Sequence, residues 1–252
     1  MSQRLRLEIE DQRATITLDR PDKHNMLELD DLAALEALIE RVDADTERRV
    51  LVLTGAGGKS FCSGFAHGDV AATDWRDNPI ERAIRRLEDC RLPTICALNG
   101  GVFGAAVDLA LACDFRIGVE GMRLFVPAAR LGVIYNESGL RRFLARLGPG
   151  PARRLLLAAE ELDSDALLAI GFLDHRVAPE DLSRRTAALA GRLAALAPRA
   201  VQGMKRALVG IERGDLDHDW LAREILACFA SDDLEEGLAA FADKRKPHFT
   251  RK

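Results

Sequence analysis

The sequence predicts an α/β fold, and three observations carry that prediction. Short apolar runs that suit buried strands end in glycine turns, and amphipathic helical segments follow them. Strand, turn and helix recur in this order through the N-terminal part of the chain. From Pro179 onward the pattern becomes almost wholly helical, which divides the chain into a core at 1–195 and a helical region at 196–252.

The elements follow in order. Residues 14–18 read as a strand, and residues 28–42 as a helix with Leu32, Leu35, Leu38, Ile39 and Val42 on one face. Val50 to Thr54 is a continuous apolar run that leaves through Gly55-Ala56-Gly57-Gly58, as a buried strand does. A helix is predicted over 79–91, a strand over 93–98, a turn at Asn99-Gly100-Gly101 and a short apolar helix from near Gly104. A strand over 114–119 and a helix over 140–147 come next. Helices are then predicted at 181–197, 199–213, 217–230 and 232–243, and a helical tail of this kind needs a partner for its apolar faces.

Composition narrows the function. The chain has 252 residues, 48% of them apolar and 30% charged, with a net charge of -4. That balance gives no reason to expect nucleic acid or a membrane as partner. The segment 1–10 alternates charged and apolar residues without the hydrophobic stretch of a signal peptide, so a cytoplasmic location is expected. Cys62, Cys90, Cys96, Cys113 and Cys228 form no C-x-x-C pair and read as small buried apolar residues, not as disulfides or metal ligands. His24, His175, His218 and His248 are spaced too widely for a metal site.

Two glycine turns could carry chemistry: Phe61-Cys62-Ser63-Gly64-Phe65, and Asn99-Gly100-Gly101-Val102-Phe103-Gly104-Ala105-Ala106. Such turns can aim backbone N–H groups at one point, and the second opens a helix whose free amides favour developing negative charge. The alternative is that these glycines only turn the chain. Asp108 stands alone among apolar neighbours, so it is either a site acid or a structural acid bonded to backbone or to an arginine. Gly132 to Gly139 carries the chain's single tyrosine, Tyr135, beside Asn136, Glu137 and Ser138. His67 lies near the first turn, and Trp75 belongs to a segment expected to cover the pocket. Trp220 is expected to pack within the helical tail. A nicotinamide site is not supported, because Ser60 takes the third glycine position of G-x-G-x-x-G after Thr54. No G-x-S-x-G elbow suggests a serine hydrolase.

Taken together, these segments resemble the crotonase (enoyl-CoA hydratase/isomerase) family. The resemblance runs from Ile16-Thr17-Leu18-Asp19-Arg20-Pro21 and Asn25 through Leu51-Val52-Leu53-Thr54-Gly55 and Phe61-Cys62-Ser63-Gly64. It continues over Ala97-Leu98-Asn99-Gly100, Cys113-Asp114-Phe115-Arg116 and Ala169-Ile170-Gly171-Phe172-Leu173-Asp174 to the tail Lys244-Arg245-Lys246-Pro247. It implies a crotonase-like ββα spiral core with a C-terminal helical trimerisation region, assembling as a homotrimer or a dimer of trimers. It also implies an acyl-CoA substrate, with no cofactor beyond the CoA moiety.

In such enzymes the thioester oxygen is held by two backbone amides, which match Phe65 and Ala105. The resemblance places the CoA moiety near Asn25, Ser63 and Gly64, with Lys244 reaching its phosphates, often across a subunit boundary. Hydratases of the family use two glutamates; Asp108 matches the first and Ala128 the second, so two-acid hydration is not expected. Leu131-Gly132-Val133-Ile134-Tyr135-Asn136 is most similar to the methylmalonyl-CoA decarboxylase branch, although Ser63-Gly64-Phe65-Ala66-His67-Gly68-Asp69 departs from the family's usual Ala-Gly-His-Asp stretch. The expectation ranked first is therefore an acyl-CoA lyase that decarboxylates a short malonyl-type CoA ester, with Tyr135 orienting the carboxylate and Asp108 placing substrate or delivering a proton. The alternatives are an enoyl-CoA hydratase or isomerase using Asp108 or Glu137, and a non-catalytic acyl-CoA-binding protein.

Overall fold

The computed structural model describes residues 4–65 and 77–250. His67 and Trp75, with the rest of the 66–69 match, lie outside the described residues. The chain opens with strands β1 (Leu5–Glu10) and β2 (Arg13–Leu18), helix α1 (Leu29–Ala44), and strands β3 (Val50–Gly55) and β4 (Ser60–Cys62). Helix α2 (Pro79–Asp89) leads to β5 (Thr94–Leu98), β6 (Gly101–Phe103) and α3 (Ala105–Leu111). Then come β7 (Phe115–Val119), β8 (Arg123–Phe125), α4 (Ala128–Leu131), α5 (Glu137–Leu147) and α6 (Pro149–Leu156). After β9 (Leu162–Asp163), α7 (Ser164–Ala169) and β10 (His175–Val177), the chain is helical: α8 (Leu182–Ala194), α9 (Pro198–Arg213), α10 (His218–Phe229) and α11 (Asp232–Ala242).

Two sheets form the core. One has the order β1-β2-β3-β5-β7-β10, antiparallel between β1 and β2 and parallel beyond; the other has the order β4-β6-β8-β9. Strands β3, β5 and β7 each pass the chain to the second sheet through β4, β6 and β8, and a helix closes each turn. This is the ββα spiral expected from the resemblance. Strand β5 is buried along its whole length and β3 at all but Thr54, which is why both read as apolar runs without alternation.

The crossing between the sheets is clamped by two amides. Asn25 Nδ2 donates to the carbonyls of Ala56 and Ser60, both at 2.9 Å, and its Oδ1 accepts from Arg20 N at 3.0 Å. Asn99 Oδ1 accepts from Gly55 N at 3.1 Å. A Cβ on Gly55 would come within 2.8 Å of both amide side chains, so only glycine lets the strand end pass between them.

The C-terminal helices attach to the core through α9. Lys205 Nζ donates to Leu92 O at 2.8 Å and pairs with Asp114 at 2.8 Å. Trp220 packs under Arg206, whose guanidinium lies 3.9 Å from its ring centre. Helix α10 buries no residue completely, and Met204, Leu208, Leu226, Phe229, Leu238 and Phe241 stay exposed along α9, α10 and α11. Cys62, Cys90, Cys96 and Cys113 are buried and Cys228 is half-buried. Among the described residues, no helix is long and apolar enough to cross a membrane.

Candidate active site

Strands β4 and β6 are parallel neighbours, with Ser60 opposite Gly101 and Cys62 opposite Val102. They end side by side, so the loops that follow them meet. Gly64 adopts φ +96°, and a Cβ there would lie 2.8 Å from Phe103 O and 3.4 Å from Ala105 N. Gly104, at φ 57° and ψ -131°, turns the chain into α3. Leu27 N donates to Gly64 O at 2.9 Å, and Gly104 N donates to Phe125 O at 3.0 Å, so both loops are anchored from outside. The amide of Ala105 is the first of α3 and has no acceptor within the helix.

A cavity of about 350 Å³ opens beside these loops, and Phe65, Gly104 and Ala105 belong to its wall. Ile80, Pro127, Leu131, Val133 and Ile134 make much of the rest apolar. Ala128 also lines it, 9% exposed at the start of α4. Asp108 is the one carboxylate among the described residues of the wall.

Asp108 is 2% exposed, and both of its oxygens are bonded to Arg142. Arg142 Nε donates to Oδ1 at 2.7 Å and Nη2 donates to Oδ2 at 2.9 Å. Of the two readings the sequence left open, the arginine-bonded acid is therefore present, yet the same residue faces the cavity. Arg142 is fully buried; burial pulls its guanidinium down, but Asp108 and then Glu88 outweigh that and hold it above its ordinary range. Helix α5 carries Arg142 close to α3, with Gly139 at the contact. A Cβ there would lie 3.0 Å from Asp108 Oδ2 and 3.0 Å from Tyr135 Cδ1.

Tyr135 lines the cavity, but its hydroxyl donates to Gly104 O at 2.9 Å, and its ring meets Phe143 edge-on at 5.5 Å. Burial, and then the charge of Asp108, pushes the phenol well above its ordinary range. Tyr135 thus braces the Ala105 loop, and its proton is committed to a backbone oxygen. Asn136 caps α5 by accepting from Gly139 N at 2.7 Å. Glu137, the first residue of that helix, is exposed and lies outside the cavity wall.

The remaining predicted residues separate. Ser63 is on the cavity wall and also lines a second cleft of about 670 Å³. Asn25, by contrast, is 1% exposed, and its side chain is spent on clipping the crossing between the sheets, so only its backbone is left to meet a ligand. Lys244 lies exposed in the turn after α11, at φ +55°, and lines neither cavity. Sequence reasoning missed Arg142: the basic doublet Arg141-Arg142 was visible, but a partner 34 residues away was not. Among the described residues, no group of three or more His, Cys, Asp or Glu side chains is placed to hold a metal.

The arrangement brings the Gly64-Phe65 and Gly104-Ala105 turns together on one wall of a cavity that also holds the Asp108 carboxylate and a mostly apolar lining. Comparison with known proteins shows which family the chain resembles. The family model described as enoyl-CoA hydratase/isomerase matches residues 8–252. A crotonyl-CoA hydratase from Syntrophomonas wolfei is 32% identical over 256 residues, covering 98% of this chain and 97% of that protein. A short-chain-enoyl-CoA hydratase from Clostridium acetobutylicum is 32% identical over 255 residues, covering 95% of each. The crystal structure of an enoyl-CoA hydratase/carnithine racemase from Magnetospirillum magneticum superposes with a TM-score of 0.93 at 29% identity, covering 100% of this chain and 97% of that one. With its spiral of ββα turns and these relatives, the chain belongs to the enoyl-CoA hydratase/isomerase, or crotonase, family.

Proposed function

We propose that this protein carries out double-bond chemistry on a short enoyl-CoA, through a thioester enolate held by the amides of Phe65 and Ala105, with Asp108 as its proton-transferring acid. The observation that carries this reading is the meeting of the Gly64-Phe65 and Gly104-Ala105 turns beside a cavity with one carboxylate in its described wall. Two amides directed at a developing oxyanion lower the barrier without reorganising during the reaction.

Within that chemistry the double-bond shift suits these residues best. Asp108 takes a proton from C2 of a 3-enoyl-CoA, the electron pair delocalises onto the thioester oxygen, and Asp108 returns the proton at C4 to give the 2-enoyl-CoA. One carboxylate serves both transfers. Hydration needs in addition an oriented water, and Ala128 offers neither a proton nor a hydrogen bond at the second acid position. The relatives named as hydratases support the enoyl-CoA class. They count against decarboxylation, the reading ranked first from the motif at Leu131 to Asn136. Tyr135 counts against it too, since its hydroxyl proton goes to Gly104 O and not toward a substrate carboxylate.

Ser63, which borders both cavities, is the proposed passage between the acyl site and the CoA tail. The exposed apolar residues of α9, α10 and α11 favour a homotrimer or a dimer of trimers, in which Lys244 of one copy serves the CoA phosphates of another. The charged, non-hydrophobic character of residues 1–10 supports a cytoplasmic location.

The test is a mass-spectrometric turnover screen in heavy-oxygen water with crotonyl-CoA, a 3-enoyl-CoA and methylmalonyl-CoA. The expected result is isomerisation of the 3-enoyl-CoA, lowered about 10²- to 10⁴-fold by Asp108→Asn, with slower heavy-oxygen incorporation into crotonyl-CoA. Loss of carbon dioxide from methylmalonyl-CoA alone would overturn the proposal in favour of a decarboxylase. Tight binding of all three without turnover would leave an acyl-CoA-binding protein.

A further inference from the structure

Asp108 is the inner end of a chain of buried charges that crosses four helices. Arg142 of α5 holds it by both oxygens, and the third nitrogen of the same guanidinium, Nη1, donates to Glu88 Oε2 of α2 at 3.2 Å. Glu88 Oε2 also accepts from Arg141 Nη2 at 3.4 Å and from Arg213 Nε at 3.2 Å, with Arg213 Nη2 closer still. Arg213 is the last residue of α9, and its Nη1 is 2.6 Å from Asp89. Glu88 is 1% exposed, so solvent screens none of these contacts at their centre.

We propose that Arg142, Glu88 and Arg213 are positioning residues, which set the orientation of the Asp108 carboxylate over the cavity and make it depend on how α9 docks. The inference rests on the reading of Asp108 as the proton-transferring acid.

Three features give the chain its direction. The Arg142 fork fixes the plane of the Asp108 carboxylate, because both oxygens are bonded to one rigid group. Arg142 is shared between two carboxylates, so its pull on Asp108 depends on how far Glu88 is satisfied by others. Glu88 is satisfied on one side only: Oε2 takes every bond, and Oε1 is buried with no partner among the described residues. A Glu88 that lost Arg213 would turn toward Arg142 and draw the guanidinium away from Asp108. Helix α9 is also tied to α5 at Glu212 and Arg146, 3.4 Å apart, so a shift of α9 reaches α5 at two points. A network that served folding alone would not require the site acid as its terminus.

The experiment is a double-mutant cycle between Arg213→Met and Asp108→Asn, with kcat and KM measured on the enoyl-CoA that wild-type protein turns over. It is accompanied by ¹³C spectra of protein labelled at the aspartate carboxyl carbons, with the Asp108 signal assigned by its absence in Asp108→Asn. Arg213→Met is expected to lower kcat about 10- to 100-fold with KM nearly unchanged, to shift the Asp108 signal, and to add no further loss in the Asp108→Asn background. Arg213→Lys keeps the charge but loses the fork, and should recover part of kcat; it replaces Arg213→Met in both measurements if that variant does not fold. An equal loss of kcat in both backgrounds, or an Asp108 signal that does not move, would overturn the inference. Wild-type protein inactive on every enoyl-CoA would sink the functional reading, while the carboxyl spectra would still decide whether Arg213 reaches Asp108.

Discussion

Asp108 and Arg142 form a two-bond ion pair, at 2.7 and 2.9 Å, between helices that meet at Gly139, where a Cβ would lie 3.0 Å from Asp108 Oδ2. The pair is buried, and its acid is also a wall of the cavity. Removing one partner of such a pair leaves the other desolvated and uncompensated. Arg142→Met strands Asp108, while Glu88 keeps Arg141 and Arg213, and should lower the unfolding free energy by about 3–5 kcal/mol. Urea denaturation followed by circular dichroism checks this, and a loss under about 1 kcal/mol would mean that Asp108 finds another partner.

Gly64 tests the oxyanion hole without touching a side chain of the cavity. Its φ of +96° is strained for any L side chain, and a Cβ would lie 2.8 Å from Phe103 O. Gly64→Ala should therefore displace the Phe65 amide and reduce kcat by about 10²- to 10³-fold, the cost of one lost oxyanion donor. Thermal unfolding measured alongside separates this from a general loss of fold. A stable variant with undiminished kcat would remove the Phe65 amide from the mechanism.

Ala128 marks the place where hydration lacks an acid. It faces the cavity from the start of α4, so a longer side chain there points its end group into that space. Ala128→Glu should raise heavy-oxygen incorporation into crotonyl-CoA by about a hundredfold, the lower end of what a positioned acid or base supplies. No gain, in a variant that still binds the ester, would mean that Ala128 is not the missing position.

The cysteines give a prediction about pH. Burial pushes the Cys62 thiol up to about 12, against a smaller opposing hydrogen bond from Gly64, and pushes Cys90 up to about 12 as well. Because the thiolate is the reactive form, only about one in ten thousand of these thiols is ionised near pH 8. Native protein should react with a thiol reagent first at half-buried Cys228, with Cys62 and Cys90 protected until the chain unfolds. Ionisation of those two should become appreciable only as the pH nears 12. Labelling read by peptide mass spectrometry decides it, and fast modification of Cys62 near pH 8 would show that the β4 turn opens.

Residues 50–55 and 94–98 were legible as strands because parallel strands covered on both faces are apolar throughout. Strand β1 was not read as one, although Leu5, Leu7 and Ile9 alternate with charged residues, because alternation over six terminal residues gives no sign of a pairing strand. Strands β4, β6 and β8 have three residues each, too few for any period, so the second sheet was invisible although the Gly64-Phe65 and Gly104-Ala105 turns hang from it. The helix read at 140–147 begins at Glu137, where the Asn136 cap starts it.

By itself, the sequence determined that the chain is an α/β protein of the crotonase family, that glycine turns place Phe65 and Ala105 at strand ends, and that position 128 carries no acid. These are local facts: a backbone conformation, an apolar run or a missing functional group is set by residues close in the chain. Tertiary structure alone decided that Asp108 is gripped by Arg142, that Tyr135 braces Gly104, that Asn25 is a clip and that Glu137 stays outside the cavity. Each of these depends on which polar group is left to satisfy another once water has been removed. That pairing is made between helices and turns far apart in sequence, and becomes definite only when the sheets bring them together.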